Sequence, residues 1–296
     1  PLLASLITLA ATIGYRFVVS DKDKRLLRES FALYLAPAVI ERMLASSSPP
    51  SLGGETRSIT IFFSDVEGFS TFSEKMTPTE LVALMNEYLS AMTDIIEAHG
   101  GFVDKYIGDA IVAVFGAPAD DPLHALNATR AALACQARLR EMNGTAAAFK
   151  GHHLVQRIGL NSGEALVGNM GSRRRFNYTV MGDAVNLASR IEGANKYFST
   201  FTMATEMTAE LAGPGVTWRE LDAIRVKGRA APVRILEPLA VAGEESEQQR
   251  GTAAAYAQGL ACWRRRDFAG AAAAFAGIAA EDPPSARFLA RAQECV

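Results

Sequence analysis

Between Ser58 and Tyr197 the chain alternates strand-like with helix-like runs in the order β-α-β-β-α-β, an order that few folds accept. SITIFF (58–63) is a continuous apolar run of strand length that ends at Ser64-Asp65. TPTELVALMNEYLSAMTDIIEAH (77–99) opens on a Thr-Pro-x-Glu capping pattern and then carries apolar residues at helical spacing. FVDKY (102–106) and AIVAVF (110–115) flank Ile107-Gly108-Asp109, which predicts a hairpin with a tight glycine turn. A second helix is expected at 122–142, a strand pair within VQRIGLNSGEALVGN (155–169), another strand at 176–181 and a helix at 184–197.

That order points to a ferredoxin-like α/β (α+β) core with additions, in which the first strand and the hairpin are neighbours. The flanks differ in character. Residues 2–19, LLASLITLAATIGYRFVV, hold one charge, Arg16, and as helix would extend roughly 27 Å, enough for a bilayer core. The same run also fits a buried core helix. Lys22, Lys24, Arg25 and Arg28 follow it, the reverse of a signal peptide, which puts the remainder on the cytoplasmic side of a cell membrane. A chain opening on Pro1 without Met is expected to continue upstream. The expected organisation is a transmembrane helix over 1–20, a helical linker over 21–54 kinked at Pro37, and a globular domain over 55–240. After the polar break GEESEQQRG (243–251), residues 252–296 read as an Ala-rich helical tail in which AYAQGLACWRRRDFAGAAAAFAGIAAEDP resembles one tetratricopeptide-like helix pair. One such pair cannot bury its own core and must dock on something.

Thirty Lys and Arg against 32 Asp and Glu leave a net charge of −2, so no global field favours nucleic acid and any anion site must be local. Cys135, Cys262 and Cys295 lack metal-ligand spacing and read as free thiols in a reducing compartment. Asp65 closes one strand and Asp109 lies in the turn of the hairpin expected beside it. Taken singly, each is ordinary punctuation of a strand end or a turn. Together they are hard oxygen ligands converging next to a glycine turn, which suits paired Mg²⁺ ions and a bound phosphate chain.

FFSDVEGFS, DKYIGDAIVAVFGAP, LNSGEALVGNMGS and YTVMGDAVNLASRIE, in this order and at this spacing, resemble the class III adenylate/guanylate cyclase catalytic domain over roughly residues 55–240. The resemblance implies a head-to-tail homodimer with sites at the interface and two Mg²⁺ (or Mn²⁺) per site. It implies conversion of a nucleoside triphosphate to a 3′,5′-cyclic nucleotide and pyrophosphate. By the same resemblance Asp65, Asp109 and the Val66 carbonyl bind metal, and Gly68, Phe69 and Ser70 face the triphosphate. Lys105 and Thr179 from the partner chain read the base. Asn186 and Arg190 orient the ribose and stabilise the transition state, and Arg173 and Lys227 hold the β- and γ-phosphates.

Chemistry accounts for these residue types. Asn186 and Arg190, four apart, share one helix face, which otherwise reads as a polar surface stripe. A guanidinium supplies fixed, always-charged donors for transition-state oxygens. Lys105, otherwise a solvated strand lysine, can donate to adenine N1, and the Thr179 hydroxyl can accept from the N6 amine. That hydroxyl can also turn to donate, so Lys105 is expected to dominate base choice. Guanylate-type members of the family carry Glu and Cys at these positions, so the expected product is cyclic AMP. Thr179, where most adenylate members have Asp, is similar to the subgroup called class IIIb, which implies bicarbonate regulation. Lys105 and Asp109 would be cramped as base and metal ligands of one site, which favours a dimer with two equivalent sites. A catalytically silent nucleotide-binding module should have lost a metal Asp or the Asn/Arg pair. Other two-metal enzymes with a ferredoxin-like core lack the NLASR helix and the Lys/Thr pair.

Overall fold

The computed structural model describes residues 51–226 and 231–296, together with Ser5, Thr8, Thr12, Tyr15, Val39 and Ile40. Contacts divide the chain into two units, Pro1–Ser51 and Leu52–Val296. In the first, those six residues are helical. The transmembrane expectation for 1–20 and the linker expectation for 21–54 otherwise lie outside the described residues as far as residue 50, as does Lys227, while at the end of that linker Gly53 and Gly54 are already strand, paired with Asn169 and Gly168. Among the described residues no helix is long and apolar enough to cross a membrane.

The second unit is built on β1 (Gly53–Val66), a short helix α1 (Phe69–Ser73), α2 (Pro78–Ala98), β2 (Phe102–Ile107), β3 (Ala110–Phe115), α3 (His124–Thr145) and β4 (Gln156–Ser172). The four strands lie in the order β2-β3-β1-β4, all antiparallel, the expected βαββαβ arrangement. The capping pattern acts as read: the Thr77 backbone N–H donates to Glu80 Oε2 at 3.0 Å, the return bond from Glu80 N–H to Thr77 Oγ1 closes the box, and Pro78 opens α2. Leu84, Tyr88, Met92 and Ile96, four residues apart, are its buried face.

Residues 155–169 are not a strand pair. β4 is one 17-residue strand that pairs with β1 from Gly53↔Asn169 to Val66↔Gln156. Asn161-Ser162-Gly163 has turn composition, yet the Asn161 side chain is spent elsewhere. It donates to the Ala184 carbonyl at 2.9 Å and accepts from Thr205 at 2.9 Å.

Further along come β5 (Arg175–Met181), which folds back on β4, then α4 (Asp183–Phe198), β6 (Thr202–Thr205), α5 (Glu206–Ala212), β7 (Val216–Ile224) and β8 (Val233–Val241). β6 lies parallel to β4, and β8 and β7 extend the sheet beyond it. The sheet is covered on both faces. In β6, Ala204 joins the apolar cluster under α2 and α3, while its neighbour Met203 joins the cluster under α4.

The tail is three helices, α6 (Glu247–Arg264) and α7 (Phe268–Ala276) over the segment read as a pair, followed by α8 (Pro283–Gln293). α6 begins inside the segment read as a polar break, because Ser246 and Gln249 form a capping box. The tail docks on its own globular domain. Tyr256, Phe275 and Phe288 share one cluster with Leu187, Ile191 and Phe198 of α4. Tyr256 Oη donates to the Leu221 carbonyl at 2.9 Å, and Arg219, 6% exposed, donates to Asp282 at 2.6 Å and pairs with Glu237.

Candidate active site

Asp65 and Val66 are the last two residues of β1, and Asp109 completes the two-residue turn between β2 and β3. Gly108, at φ 66°, takes the left-handed conformation that this turn needs. Because β1 and β3 pair up to Ser64↔Ile111, the turn delivers Asp109 to the end of β1. Asp109 Oδ2 accepts from the Val66 backbone N–H at 3.0 Å. Burial pushes the Asp65 carboxyl up to about 7, helped by a hydrogen bond with Asp109 and repulsion from Asp109 and Glu192, with Arg157 acting against them.

Arg157 was not singled out by sequence. It stands opposite Asp65 in the β1–β4 register, and directly opposed residues share a face. Its guanidinium, 13% exposed, lies 3.8 Å from Asp65, 3.2 Å from Glu67 and 3.1 Å from Glu192 of α4. Four carboxylates against one guanidinium leave an acidic corner. Among the described residues no three His, Cys, Asp or Glu side chains enclose an ion. Two carboxylates and a strand carbonyl fit instead a cation that keeps waters and shares its remaining positions with phosphate oxygens, the habit of Mg²⁺.

A second group forms where β5 passes β2. Lys105 Nζ donates to Thr179 Oγ1 at 3.0 Å, joining two residues 74 apart in sequence. Thr179, 8% exposed, donates in turn to Asp104 Oδ2 at 2.7 Å, and Lys105 Nζ lies 3.4 Å from the same oxygen. Burial pushes the Asp104 carboxyl up, while Thr179, Lys105 and the Val180 N–H hold it down. Asp104 was also not singled out. Alternation along a regular strand sends residues 104 and 105 to opposite faces, but the β2–β3 register shifts between Val103 and Lys105. Asp104 is the extra residue of that bulge.

Asn186 and Arg190 project from α4, Asn186 exposed and Arg190 partly buried, with Arg190 Nη1 enclosed and lacking a hydrogen-bond partner. α4 is held hard against β4. Asn195 Nδ2 donates to the Ile158 carbonyl at 2.9 Å, and a Cβ on Gly159 would stand 2.2 Å from the Glu192 nitrogen. Gly68 precedes α1 and Phe69 and Ser70 begin it, directly after the acidic corner. Arg173 is exposed in the two-residue turn between β4 and β5. The structure thus joins Asp65, Val66 and Asp109, joins Lys105 and Thr179, and sets Asn186 and Arg190 on one helix.

The sequence pattern of the adenylate and guanylate cyclase catalytic domain matches residues 54–237, from the first strand through the last. The chain belongs to that family. It is 33% identical over 225 residues to adenylate cyclase 1 of Rhizobium meliloti (strain 1021), a match covering 76% of this chain and 34% of that protein. The chain therefore spans about a third of that relative's length. Among solved structures, the guanylyl cyclase Cya2 is 36% identical with TM-score 0.59, over 66% of this chain and 98% of that one. The adenylyl cyclase CyaB from P. aeruginosa is 30% identical with TM-score 0.60, over 66% and 100%. Adenylyl and guanylyl cyclases match this cyclase domain equally well in backbone, so the fold does not select the base. That choice falls to side chains.

Proposed function

We propose that this cyclase domain is an adenylate cyclase, converting ATP to 3′,5′-cyclic AMP and pyrophosphate in signal transduction. The observation that carries the base assignment is the Lys105–Thr179 pair, held together at 3.0 Å. An ammonium donor and a hydroxyl acceptor match adenine N1 and the N6 amine; guanine presents a donor at N1 and an acceptor at O6.

Two divalent cations held by Asp65, Asp109 and the Val66 carbonyl would lower the pKa of the ribose 3′-hydroxyl and offset triphosphate charge. Lys105 and Thr179 bind the base. Asn186 orients the ribose so that the 3′-oxygen faces the α-phosphorus. As that oxygen bonds to phosphorus and the bond to the pyrophosphate oxygen breaks, Arg190 donates to the charge-gathering oxygens. Gly68, Phe69 and Ser70 line the triphosphate, with Arg173 and Lys227 assigned to its β- and γ-phosphates on resemblance.

The two groups belong to different sites of a head-to-tail homodimer: Asp65 and Asp109 act with Lys105 and Thr179 of the partner. The N-terminal run tethers the chain to the cell membrane with the catalytic domain in the cytoplasm, and bicarbonate is a candidate regulator of the Thr179-type site. Purified protein given Mn²⁺ and ATP should yield cyclic AMP identified by chromatography, and Asp109→Asn should yield none. Mixing Asp65→Ala with Lys105→Ala chains should restore activity through one intact interface. No product from the wild-type chain refutes the enzyme in favour of a silent nucleotide-binding module, and no recovery in verified heterodimers refutes the shared sites.

A further inference from the structure

We propose that Asp104 is a positioning residue that sets base preference by fixing the Thr179 hydroxyl as a hydrogen-bond acceptor. The proposal rests on the reading of Lys105 and Thr179 as the base-binding pair. A threonine hydroxyl has one proton and two lone pairs. Here the proton goes to Asp104 Oδ2 at 2.7 Å, and one lone pair accepts from Lys105 at 3.0 Å. What remains is a single lone pair. It can take an N–H from the adenine 6-amino group and can offer nothing to the guanine 6-oxo group.

Sequence reasoning left this hydroxyl free to turn, and therefore indifferent to the base. Asp104 removes that freedom. Lys105 is committed in the same way: its ammonium lies within 3.0 Å of Thr179 and 3.4 Å of Asp104, leaving one N–H for the ligand.

Two further observations single out Asp104. It is the extra residue of the β2–β3 bulge, and without that bulge it would face away from Lys105 and Thr179. Its side chain is 2% exposed, yet Oδ1 has no hydrogen-bond partner. A buried carboxylate with one idle oxygen is costly to keep, and an apolar residue would pack there without that cost. Polar groups retained on such terms cluster at functional positions.

The test is kcat/KM for ATP and for inosine triphosphate, which differs from ATP in having N1–H and a 6-oxo group, on wild type, Asp104→Asn, Thr179→Val and the double variant. Asparagine keeps the volume but can present its amide N–H to Thr179, freeing the hydroxyl proton for a 6-oxo group. The ATP preference should fall about tenfold or more in Asp104→Asn. In the Thr179→Val background Asp104→Asn should leave the preference unchanged, because there is no hydroxyl left to orient. A purely structural Asp104 would lower both nucleotides equally and leave the ratio alone, and that result overturns the proposal. Full additivity in the double variant overturns it too. If Asp104→Asn fails to fold, as judged by its thermal transition, Asp104→Ala carries the same comparison. A ratio unmoved by Thr179→Val and by Lys105→Ala refutes the base-pair reading itself. A ratio moved by those two but not by Asp104→Asn refutes only the role of Asp104.

Discussion

Replacing Gly159 by alanine tests how α4 is held in place. Gly159 lies in β4, beneath the helix that carries Asn186 and Arg190, and its backbone is one that alanine adopts freely. The added methyl would stand 2.2 Å from the Glu192 nitrogen and 2.3 Å from the Ala188 carbonyl oxygen. Both obstacles are helix backbone, which cannot swing aside as a side-chain tip can. Ordinary contact begins near about 3.5 Å, so α4 must retreat by about 1 Å. Overpacking of this kind costs about 1–3 kcal/mol, or roughly 2–12 °C in Tm for a unit of this size. A displacement of about 1 Å at catalytic groups costs on the order of 10²-fold in kcat. Gly163→Ala is the control on the same strand, four residues on. Its methyl meets only the Ala184 Cβ at 3.6 Å, so Tm and kcat should stay within about 2 °C and about twofold. Differential scanning calorimetry and initial rates of cyclic nucleotide formation read both outcomes. Wild-type behaviour in Gly159→Ala, or equal damage in Gly163→Ala, would refute the close-approach argument.

Other perturbations probe the remaining parts. Arg190→Ala should lower kcat by about 10²–10³ with little change in KM, since its donor is used as charge develops; an effect confined to KM would place it in ground-state binding. Arg219→Met leaves Asp282 and Glu237 buried without their guanidinium and should destabilise the tail-docked domain by about 3–5 kcal/mol in urea unfolding; a loss under about 1 kcal/mol would mean the triad is solvated. The raised Asp65 carboxyl gives a pH prediction. Between the ordinary carboxylate value of 3.8 and about 7 the folded, metal-free chain keeps a proton that the unfolded chain has shed, so this group disfavours folding increasingly as pH rises through that window. A cation needs both carboxylates ionised and displaces that proton, so the Tm gain on adding Mn²⁺ should be larger at about pH 8 than at about pH 6. An equal gain at both would mean that Asp65 is not a ligand.

The order of elements was legible because each signal is local. The capping box at Thr77 and Glu80, the apolar run 110–115 and the glycine turn before Asp109 act within a few residues of themselves. The same holds for the placement of Asp65 and Asp109, since one ends a strand and the other turns a hairpin. Where a local signal was ambiguous, reading failed. Asn161-Ser162-Gly163 looks like a turn and is mid-strand because its polar side chain found α4 and β6, partners that composition cannot name. The Ser246 capping box was hidden inside a stretch polar enough to pass for a linker.

The amino-acid sequence alone thus determined which residue types could do the chemistry, and the strand or helix from which each would act, because those depend on backbone preferences and periodicity. Tertiary structure alone decided which groups meet. Arg157 reaches Asp65 through cross-strand register, the tail finds its partner in β7, β8 and α4, and Asp104 turns toward Thr179 through one inserted residue. A bulge or a one-residue shift reverses the face of a side chain while leaving the apolar pattern readable as a strand. Contacts between residues 74 or 75 apart therefore belong to the packed sheet and not to any window of sequence.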